Sequence, residues 1–446
     1  MSAEPLCRPL LSACLNSPRP TPQWIFRRRG CLPFPRRLAG RRNPPCCPRL
    51  FPQKSKSSRP DGSAFMTVVV SNVEKDALWK SYHDRRPTRV PVVLATNNRV
   101  LILDPRFNRD GLDYERMFSD PQAMLLAQLR WQELARTHYH RFCDYQTGLP
   151  DKWDIGVHFQ NVSEAWFFGC PVEFRPDQVP DTKPILAEDN KHSIFDTDIS
   201  RPLDAGPWKR GIEFTHRMTE LAQNMDFNGR PVSIQPFVPS GSDGPLTVAL
   251  KLRGGDFLTD ILLDPEYADR LLAFIVEAAV IRIRAFHEYW GRQISGVWFA
   301  DDSIETIGTD MYVEKILPHH RRFYDAFDPE GKLPRSMHLC GDAGRHFPVI
   351  AEKLGISSFD TGFPVDLAWL RRELGPNVEI YGGVEVGLIM NGTPQQVYER
   401  ARAILTCGVL DGGRFVLREA NNLPPAAPEA ALAAMYRAAF DFGSFT

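Results

Sequence analysis

The chain has 446 residues, of which 43% are hydrophobic and 24% are charged, a composition typical of globular proteins. This length accommodates one large domain with additional segments, or two domains. The sequence contains no run of about 18 apolar residues, so no membrane-spanning helix is predicted.

Charge and cysteines are unevenly distributed along the chain. Residues 1–60 contain 11 Arg and 2 Lys against one acidic residue, Glu4, whereas the remainder contains 41 basic and 53 acidic residues. The acidic body gives no reason to expect nucleic-acid binding. Its cysteines are too few and too scattered for a disulfide framework, which favours a cytoplasmic protein; they are Cys143, Cys170, Cys340 and Cys407.

The first segment, residues 1–65, is predicted to be a disordered basic tail. Its 12 prolines by residue 60 and its Arg clusters leave no helical or strand period, and little apolar burial is available to offset the entropy of ordering. An Arg-rich, acid-poor N-terminus is also typical of organelle transit peptides, although the dense prolines count against that interpretation. A third interpretation is that translation starts at Met66 and that the preceding residues are a misassigned reading frame.

From Met66 onwards, short apolar strands alternate with longer helical stretches. The sequence predicts a helix over 74–86, a buried strand over 89–95 and a helix over 120–142. Residues 143–206 are rich in Pro, Asp and aromatic residues and are predicted to be an insertion with short strands such as 155–159. The later predicted strands are 231–237, 296–300, 336–340, 356–360, 378–382 and 414–417. The later predicted helices are 207–225, one starting at Pro245, 265–290, 309–327, 343–354, 364–374, 394–407 and 428–442.

This alternation indicates an α/β fold with parallel strands and crossover helices. About eight such units in one domain, residues 66–446, predict a (β/α)₈ TIM barrel with the insertion near residues 143–206. A doubly wound open sheet is the alternative architecture. Its dinucleotide-binding form is disfavoured because no GxGxxG follows the first strand.

Polar residues stand at the carboxyl ends of the predicted strands, where the active site of a barrel assembles. An Asp after a strand is more often a helix N-cap than a catalytic group, but several polar ends converging on one edge favour a single site. The candidates are Asn97, Arg99, Asp301, Asp302, His338, Cys340, Asp360, Glu385 and Asn421.

His338 and Cys340 form the most distinctive pair. Residues two apart in a strand point to the same side, and imidazole with thiolate is a donor combination that suits zinc. On spacing alone, a hydrogen-bonded buried His beside an inert Cys is the more common arrangement.

Several sequence motifs resemble those of the uroporphyrinogen decarboxylase superfamily, in the same order and over nearly all of residues 66–446. The clearest are HLCGDAGRHFPVIAEKLGISSFD (338–360), YGGVEVGLIMNGTPQQVYE (381–399) and GGRFVLREANNLPPAAPEAALAAM (412–435). Looser matches are RRPTRVPV (85–92), FGCPVEF (168–174), GPLTVALKLRG (244–254) and ADDSIET (300–306). The resemblance implies the TIM-barrel fold.

The superfamily contains cofactor-free decarboxylases of uroporphyrinogen and zinc-dependent methyltransferases that use a corrinoid. The decarboxylases end their first strand with Arg-Gln-Ala-Gly-Arg and their last with Gly-His-Gly, where this chain has Ala95-Thr96-Asn97-Asn98-Arg99 and Ala420-Asn421-Asn422. The resemblance therefore implies the methyltransferase branch. The expected reaction moves a methyl group between a small donor, a corrinoid and an acceptor. No Asp-x-His-x-x-Gly motif is present, so the corrinoid is expected on a partner protein.

The methyltransferase branch also implies a zinc site. His338 and Cys340 match its first two ligands, whereas the position of its third cysteine holds Asn421, a poor zinc ligand. Either Glu385 or Glu419 supplies the third donor, or no zinc is bound.

The remaining candidates are assigned to catalysis or substrate binding. His338, Asp301 and Asp302 are the predicted catalytic residues, with the aspartates orienting substrate or acting as general bases. Asn97, Arg99, Asp360, Glu385 and Asn421 are the predicted substrate-binding residues. Two alternatives remain open: a cofactor-free decarboxylase of a tetrapyrrole, with His338 and the carboxylates as acid and base, and a non-catalytic ligand-binding barrel. Neither a nucleic-acid nor a membrane partner is expected, and a homodimer is left open.

Overall fold

The computed structural model describes residues 68–145 and 147–445. The predictions made for residues 1–65 therefore lie outside the described residues. Within the described ranges, no helix is both long enough and apolar enough to span a membrane.

The described chain alternates strands and helices, as predicted. The strands are β1 Trp153–Ile155, β2 Val172–Glu173, β3 Asp181–Thr182, β4 Asp226–Phe227, β5 Arg230–Ile234, β6 Val297–Ala300, β7 Arg335–Leu339, β8 Ser358–Thr361, β9 Glu379–Val384 and β10 Phe415–Glu419. The helices of the first half are α1 Asn72–His83, α2 Arg99–Ile102, α3 Tyr114–Ser119, α4 Pro121–Thr137, α5 Ser163–Phe167, α6 Gly206–Ala222, α7 Pro245–Arg253 and α8 Asp256–Leu263. Those of the second half are α9 Pro265–Tyr289, α10 Thr309–Met311, α11 Leu317–Phe327, α12 Phe347–Leu354, α13 Leu367–Leu374, α14 Val386–Asn391, α15 Pro394–Leu405 and α16 Glu429–Phe442.

The main sheet consists of five parallel strands in the order β10-β9-β8-β7-β6. Strands β7 and β10 are buried along their whole length, as expected where crossover helices cover both faces of a parallel sheet. In this register His338 on β7 lies opposite Ala300 on β6 and Asp360 on β8. The carboxyl ends of consecutive strands therefore meet at one edge.

The segment 90–95 continues the sheet beyond β10, because Val93 N donates to Leu417 O at 2.9 Å and Leu417 N donates to Pro91 O at 3.0 Å. A separate pair joins β1 and β5 in parallel. The prediction of an α/β fold with parallel strands is confirmed. Within the described residues, however, the hydrogen-bonded strands do not close into a ring.

The structure places a parallel strand at the start of the predicted insertion. Strand β1, at Trp153–Ile155, overlaps the predicted strand 155–159 at Ile155 and pairs with β5 in a sheet separate from the five-stranded one. Trp153 and Ile155 are buried and Asp154 is exposed, but three alternating residues are too short a pattern to identify a strand. The antiparallel pair β2–β3 does lie within the predicted insertion.

One buried carboxylate ties the start of the sheet to the C-terminal helix. Asp144 accepts hydrogen bonds from Arg89 Nη1 at 2.8 Å, Arg89 Nη2 at 2.6 Å, Val92 N at 2.8 Å and, on α16, Tyr436 Oη at 2.8 Å. The side chain of Asp144 is 0% exposed and that of Arg89 is 15% exposed. Each charge is thus compensated mainly by the other and by these hydrogen bonds, and the Arg89 guanidinium also lies over the ring of Phe440.

Asp144→Ala is expected to lower the free energy of unfolding by about 3–5 kcal/mol, since it leaves the Arg89 guanidinium buried without its carboxylate. The measurement is urea denaturation followed by circular dichroism. Asp84→Ala is the control because Asp84 pairs with Lys80 at the surface, where such a pair contributes less than about 1 kcal/mol. Equal shifts for the two variants would contradict the assigned role of Asp144.

Candidate metal centre and active site

His338 and Cys340 lie together at the carboxyl end of β7. His338 is 1% exposed and Cys340 is 0% exposed. His338 Nε2 and Cys340 Sγ are 2.9 Å apart, because residues two apart in an extended chain face the same side. The pair presents one nitrogen and one sulfur donor to the same point.

Asp302 brings a third donor from the neighbouring strand end. Its Oδ1 accepts a hydrogen bond from Cys340 N at 2.7 Å and lies 3.9 Å from His338 Nε2. One donor atom from each of Asp302, His338 and Cys340 lies within 4.8 Å of the other two. Carboxylate oxygen, imidazole nitrogen and thiolate sulfur are the donor types that zinc takes in proteins, so these residues fit the expected metal.

Two buried charged residues, Asp360 and Arg418, continue from the Nδ1 side of the His338 ring. Its Nδ1 is 2.7 Å from Asp360 Oδ2, and the other oxygen of Asp360 accepts from Arg418 Nη1, on β10, at 2.5 Å. The side chains of Asp360 and Arg418 are each 1% exposed. A carboxylate on one ring nitrogen keeps the proton there and leaves the other nitrogen free to bind a metal. Asp360, predicted to bind substrate, therefore contacts His338.

The negatively charged groups around His338 raise its pKa by more than burial lowers it. Burial lowers the pKa of the imidazole, but the negative charges that Cys340, Asp360 and Asp302 carry when deprotonated raise it, and the net pKa is well above the ordinary value for histidine. The same negative charges favour a bound metal cation.

Asp301 does not belong to the group of donor atoms formed by Asp302, His338 and Cys340, which is called the donor group below. Its carboxylate accepts hydrogen bonds from Leu246 N at 3.2 Å and Thr247 N at 2.8 Å, at the start of α7, and lies 2.8 Å from His320 Nε2. The side chain is 0% exposed. The structure thus places this predicted catalytic residue as a helix-capping carboxylate.

Glu385 and Asn421 also lie outside the donor group. Glu385 forms an ion pair with Arg400 Nη2, on α15, at 2.6 Å. Asn421 has a positive φ of 142°, its backbone oxygen accepts from Arg418, and its Oδ1 accepts from Asn422 N at 2.8 Å. Among the His, Cys, Asp and Glu residues of the described ranges, the residue grouped with His338 and Cys340 is Asp302, not Glu385.

Glu419, at the end of β10, is a fully buried acid next to Arg418. Its Oε1 accepts from Ala95 N at 2.7 Å, and its Oε2 is buried without a hydrogen-bond partner in residues 68–145 and 147–445. Burial raises the pKa of Glu419 to about 7, although Arg418 acts in the opposite direction. Glu419 also lies outside the donor group.

Asn97 and Arg99 lie at the end of the segment 90–95. Asn97 Oδ1 accepts from Arg99 N at 2.9 Å, and Asn97 Nδ2 donates to Asn422 Oδ1 at 3.3 Å. This contact joins the first and last strand ends of the series.

Arg418 follows the last predicted strand, 414–417, but no catalytic, substrate-binding or metal-binding role was predicted for it. The available signal was a single cation directly after the apolar residues Phe415–Leu417 of a buried strand. A buried strand carries an arginine only where a partner compensates its charge. That partner, Asp360, lies two strands away and could not be identified from local sequence.

The model of the uroporphyrinogen decarboxylase (URO-D) family matches residues 154–442, and the chain belongs to this family. The prediction of the superfamily is thereby confirmed.

Characterised relatives place the chain on the methyltransferase branch. It is 30% identical over 285 residues to a methylated-thiol–coenzyme M methyltransferase of Methanosarcina mazei, covering 62% of this chain and 68% of the relative. It is 22% identical over 256 residues to a methylcobamide:CoM methyltransferase of the same organism, covering 57% and 71%. The solved structure of a methyltransferase from Methanosarcina mazei shares the fold, with a TM-score of 0.57, 15% identity and coverage of 82% and 98%. The protein is a methyltransferase-like enzyme, as predicted.

Arg418→Met is expected to weaken zinc binding by about 10- to 100-fold, because Asp360 would lose the cation that holds it against His338. The measurement is competition with a chromophoric zinc chelator. Arg400→Met is the matched control, since Arg400 also pairs with a carboxylate, but with Glu385, which lies outside the group formed by Asp302, His338 and Cys340. Equal zinc affinity in the Arg418 variant and the parent would refute the role of this charge chain.

Glu419→Gln is expected to change how stability depends on pH. Since the folded pKa of Glu419 is raised to about 7 from 4.5, its contribution is fully present below about pH 4.5 and is lost as the pH rises through about 7. Glutamine does not ionise, so the variant does not lose stability as the pH rises from 4.5 to about 7. Its free energy of unfolding relative to the parent should therefore rise over this pH range by on the order of 3 kcal/mol. Urea denaturation at several pH values measures it; Glu213→Gln, at an exposed position, should show no such trend.

Proposed function

We propose that this enzyme is a corrinoid-dependent methyltransferase that moves a methyl group between a small donor, a corrinoid carried by a partner protein, and an acceptor thiol. The observation that carries the proposal is the convergence of Asp302, His338 and Cys340 at the carboxyl ends of neighbouring parallel strands. The names of two relatives refer to methylated thiols or methylcobamide as substrates and to CoM as the acceptor.

Asp302, His338 and Cys340 are proposed to hold zinc. Three protein donors are the number typical of catalytic zinc sites, which leave a position for water or substrate. When bound, zinc supplies the positive charge that keeps a thiol deprotonated near neutral pH and so makes it a nucleophile.

The protein's own groups prepare this site before substrate arrives. Asp360 holds the ring of His338, and Arg418 holds Asp360. Asp302 is positioned by the backbone N–H of Cys340. Because these contacts are buried or partly buried and involve charged groups, they fix the direction of each donor, as a catalytic metal site requires.

A cofactor-free decarboxylase of uroporphyrinogen is disfavoured by the cations of the site. A tetrapyrrole with several carboxylates requires several arginines for bidentate pairing. Arg418 already pairs with Asp360 at 2.5 Å, which leaves Arg99 as the free cation among the predicted site residues.

The strands are proposed to surround a common axis as a (β/α)₈ barrel. In chain order they are the segment 90–95, β1, β5, β6, β7, β8, β9 and β10. The proposal is supported by the hydrogen bonds that join the segment 90–95 to β10, the first and last members of the series, and by the parallel pairing of β1 with β5.

A cytoplasmic location is also proposed. Its support is chemical: the four cysteines in the described part of the chain are all free, as is usual in a reducing compartment.

The decisive test combines metal content with methyl transfer from methylcobalamin to a thiol. The parent protein is expected to bind one zinc per chain and to methylate the thiol, whereas the double variant His338→Ala/Cys340→Ala loses both. Asp302→Ala is expected to weaken zinc binding by more than about tenfold, since a direct ligand should matter at least as much as the groups behind it. Each loss is measured by metal analysis and by the absorbance change of the corrinoid.

Asp342→Ala is the matched control, because Asp342 is an exposed acid two residues after Cys340 and is not part of the donor group. It should retain zinc and activity. Undiminished methyl transfer by the double variant would overturn the proposed function.

A further inference from the structure

Two members of the donor group stand at the start of separate connecting segments. The turn 302–307 follows β6 and begins at Asp302, and the loop 340–346 follows β7 and begins at Cys340. The hydrogen bond from Cys340 N to Asp302 Oδ1, at 2.7 Å, joins the two residues directly. Their separation therefore depends on how the turn and the loop are held against each other.

Glu305 holds the loop from the side of the turn. Its Oε2 accepts a hydrogen bond from Asp342 N at 2.9 Å. The carboxylate lies so close to the loop that a Cβ atom on Gly341 would overlap it. Gly341 also has a φ of 74°, which glycine adopts without the steric cost that other residues incur. The glycine directly after Cys340 thus leaves room for the carboxylate.

Arg345 holds the turn from the side of the loop. Its Nη2 donates to Glu305 O at 2.6 Å and to Ile307 O at 2.7 Å. Its Nη1 donates to Asp342 O, within its own loop. Each segment therefore uses a charged side chain to hold the backbone of the other, a reciprocal arrangement comparable to a helix capping box. The contacts of Glu305 and Arg345 across the two segments are called the clamp below.

His346 adds a contact that does not depend on a charge. Its ring is buried, and its Nε2 lies 3.0 Å from Ile304 O. Burial, and to a lesser extent the Arg345 guanidinium, lowers the pKa of His346 to about 4. The neutral ring therefore donates its Nε2–H to this carbonyl near pH 7.

We infer that Glu305 and Arg345 are positioning residues that hold Asp302 and Cys340 side by side before a metal ion binds. Neither Glu305 nor Arg345 belongs to the donor group, so each acts through the backbone of the turn or the loop. Donors that are held in advance avoid the entropy cost of ordering two connecting segments when the ion binds. This inference rests on the proposed function and names the contacts that set the geometry of its metal site.

The first experiment measures zinc affinity and the absorption spectrum of the cobalt(II)-substituted protein. Glu305→Ala and Arg345→Met are each expected to weaken zinc binding by about tenfold, the lower end of the range for groups behind a metal ligand. The cobalt(II) bands should change in both variants, because they depend on the arrangement of the donors. Glu305→Gln keeps an oxygen that accepts from Asp342 N, so it should bind zinc within about threefold of the parent.

Glu314→Ala and Arg321→Met are the matched controls. Glu314 is an exposed acid that pairs with Lys315 at 2.8 Å. Arg321 is an exposed arginine that, like Arg345, donates to a backbone carbonyl, here Lys353 O at 3.4 Å. These contacts involve neither the turn nor the loop, so both controls should keep the zinc affinity and the cobalt(II) spectrum of the parent.

Two results of this experiment would overturn the inference. The first is parent-like zinc affinity and cobalt(II) spectra in both Glu305→Ala and Arg345→Met. The second is an equal loss in Glu305→Gln and Glu305→Ala, because the charge of Glu305 rather than its hydrogen bond to the loop would then be responsible.

A second experiment separates the clamp from the proposed function. Hydrogen–deuterium exchange of the metal-free protein, followed by mass spectrometry of peptides that span residues 335–347, needs neither metal nor methyl transfer. The amide of Asp342 should exchange at least about tenfold faster in Glu305→Ala than in the parent, since its hydrogen bond is removed, and Glu314→Ala should show no change. If methyl transfer by the parent fails while zinc affinity and exchange follow the expected pattern, the clamp stands and the proposed reaction does not. Equal exchange in Glu305→Ala and the parent would refute the clamp whatever the activity, and a parent that binds neither zinc nor cobalt(II) would overturn both proposals.

Discussion

The hydrogen bond between His338 Nδ1 and Asp360 Oδ2 is the contact on which the site depends. It exists because β7 and β8 are parallel and in a register that sets these two residues opposite each other. Asp360 is buried, so its charge requires compensation, and Arg418 provides it from β10. The orientation of the His338 ring is thus fixed by Asp360 and Arg418, on two other strands of the sheet. The same buried contacts join these strands and position the donor nitrogen.

Two adjacent acids at the end of β6 have separate roles. Asp301 turns inward, where it caps the start of α7 and contacts His320, whereas Asp302 reaches Cys340 N and the donor group. The helix start and His320 hold the backbone at this point, which in turn fixes where Asp302 lies. With one thiolate, one imidazole and one carboxylate, the donor set contains a single sulfur.

Two arginines near the site, Arg418 and Arg99, differ in whether a carboxylate balances their charge. The charge of Arg418 is balanced within the protein by Asp360, so its function is to position other groups. Within the part of the chain that the structure describes, Arg99 forms no ion pair with a carboxylate, and two of its buried nitrogens have no hydrogen-bond partner. Because a protein fold rarely retains an uncompensated buried cation, the ion pair with Asp360 accounts for the burial of Arg418.

The sequence by itself determined the parallel α/β alternation, the family and the pairing of His338 with Cys340, because these follow from local periodicity and contiguous motifs. The bounds of β1 differ from those of the predicted strand 155–159 because three alternating residues carry too little periodic signal. Only the tertiary structure decided that Asp302 lies beside His338 and Cys340, that Asp360 contacts both His338 and Arg418, and that Asp301 caps a helix. The direction of a side chain at a strand end depends on non-periodic backbone torsions and on partners far away in the chain, and no local pattern encodes either.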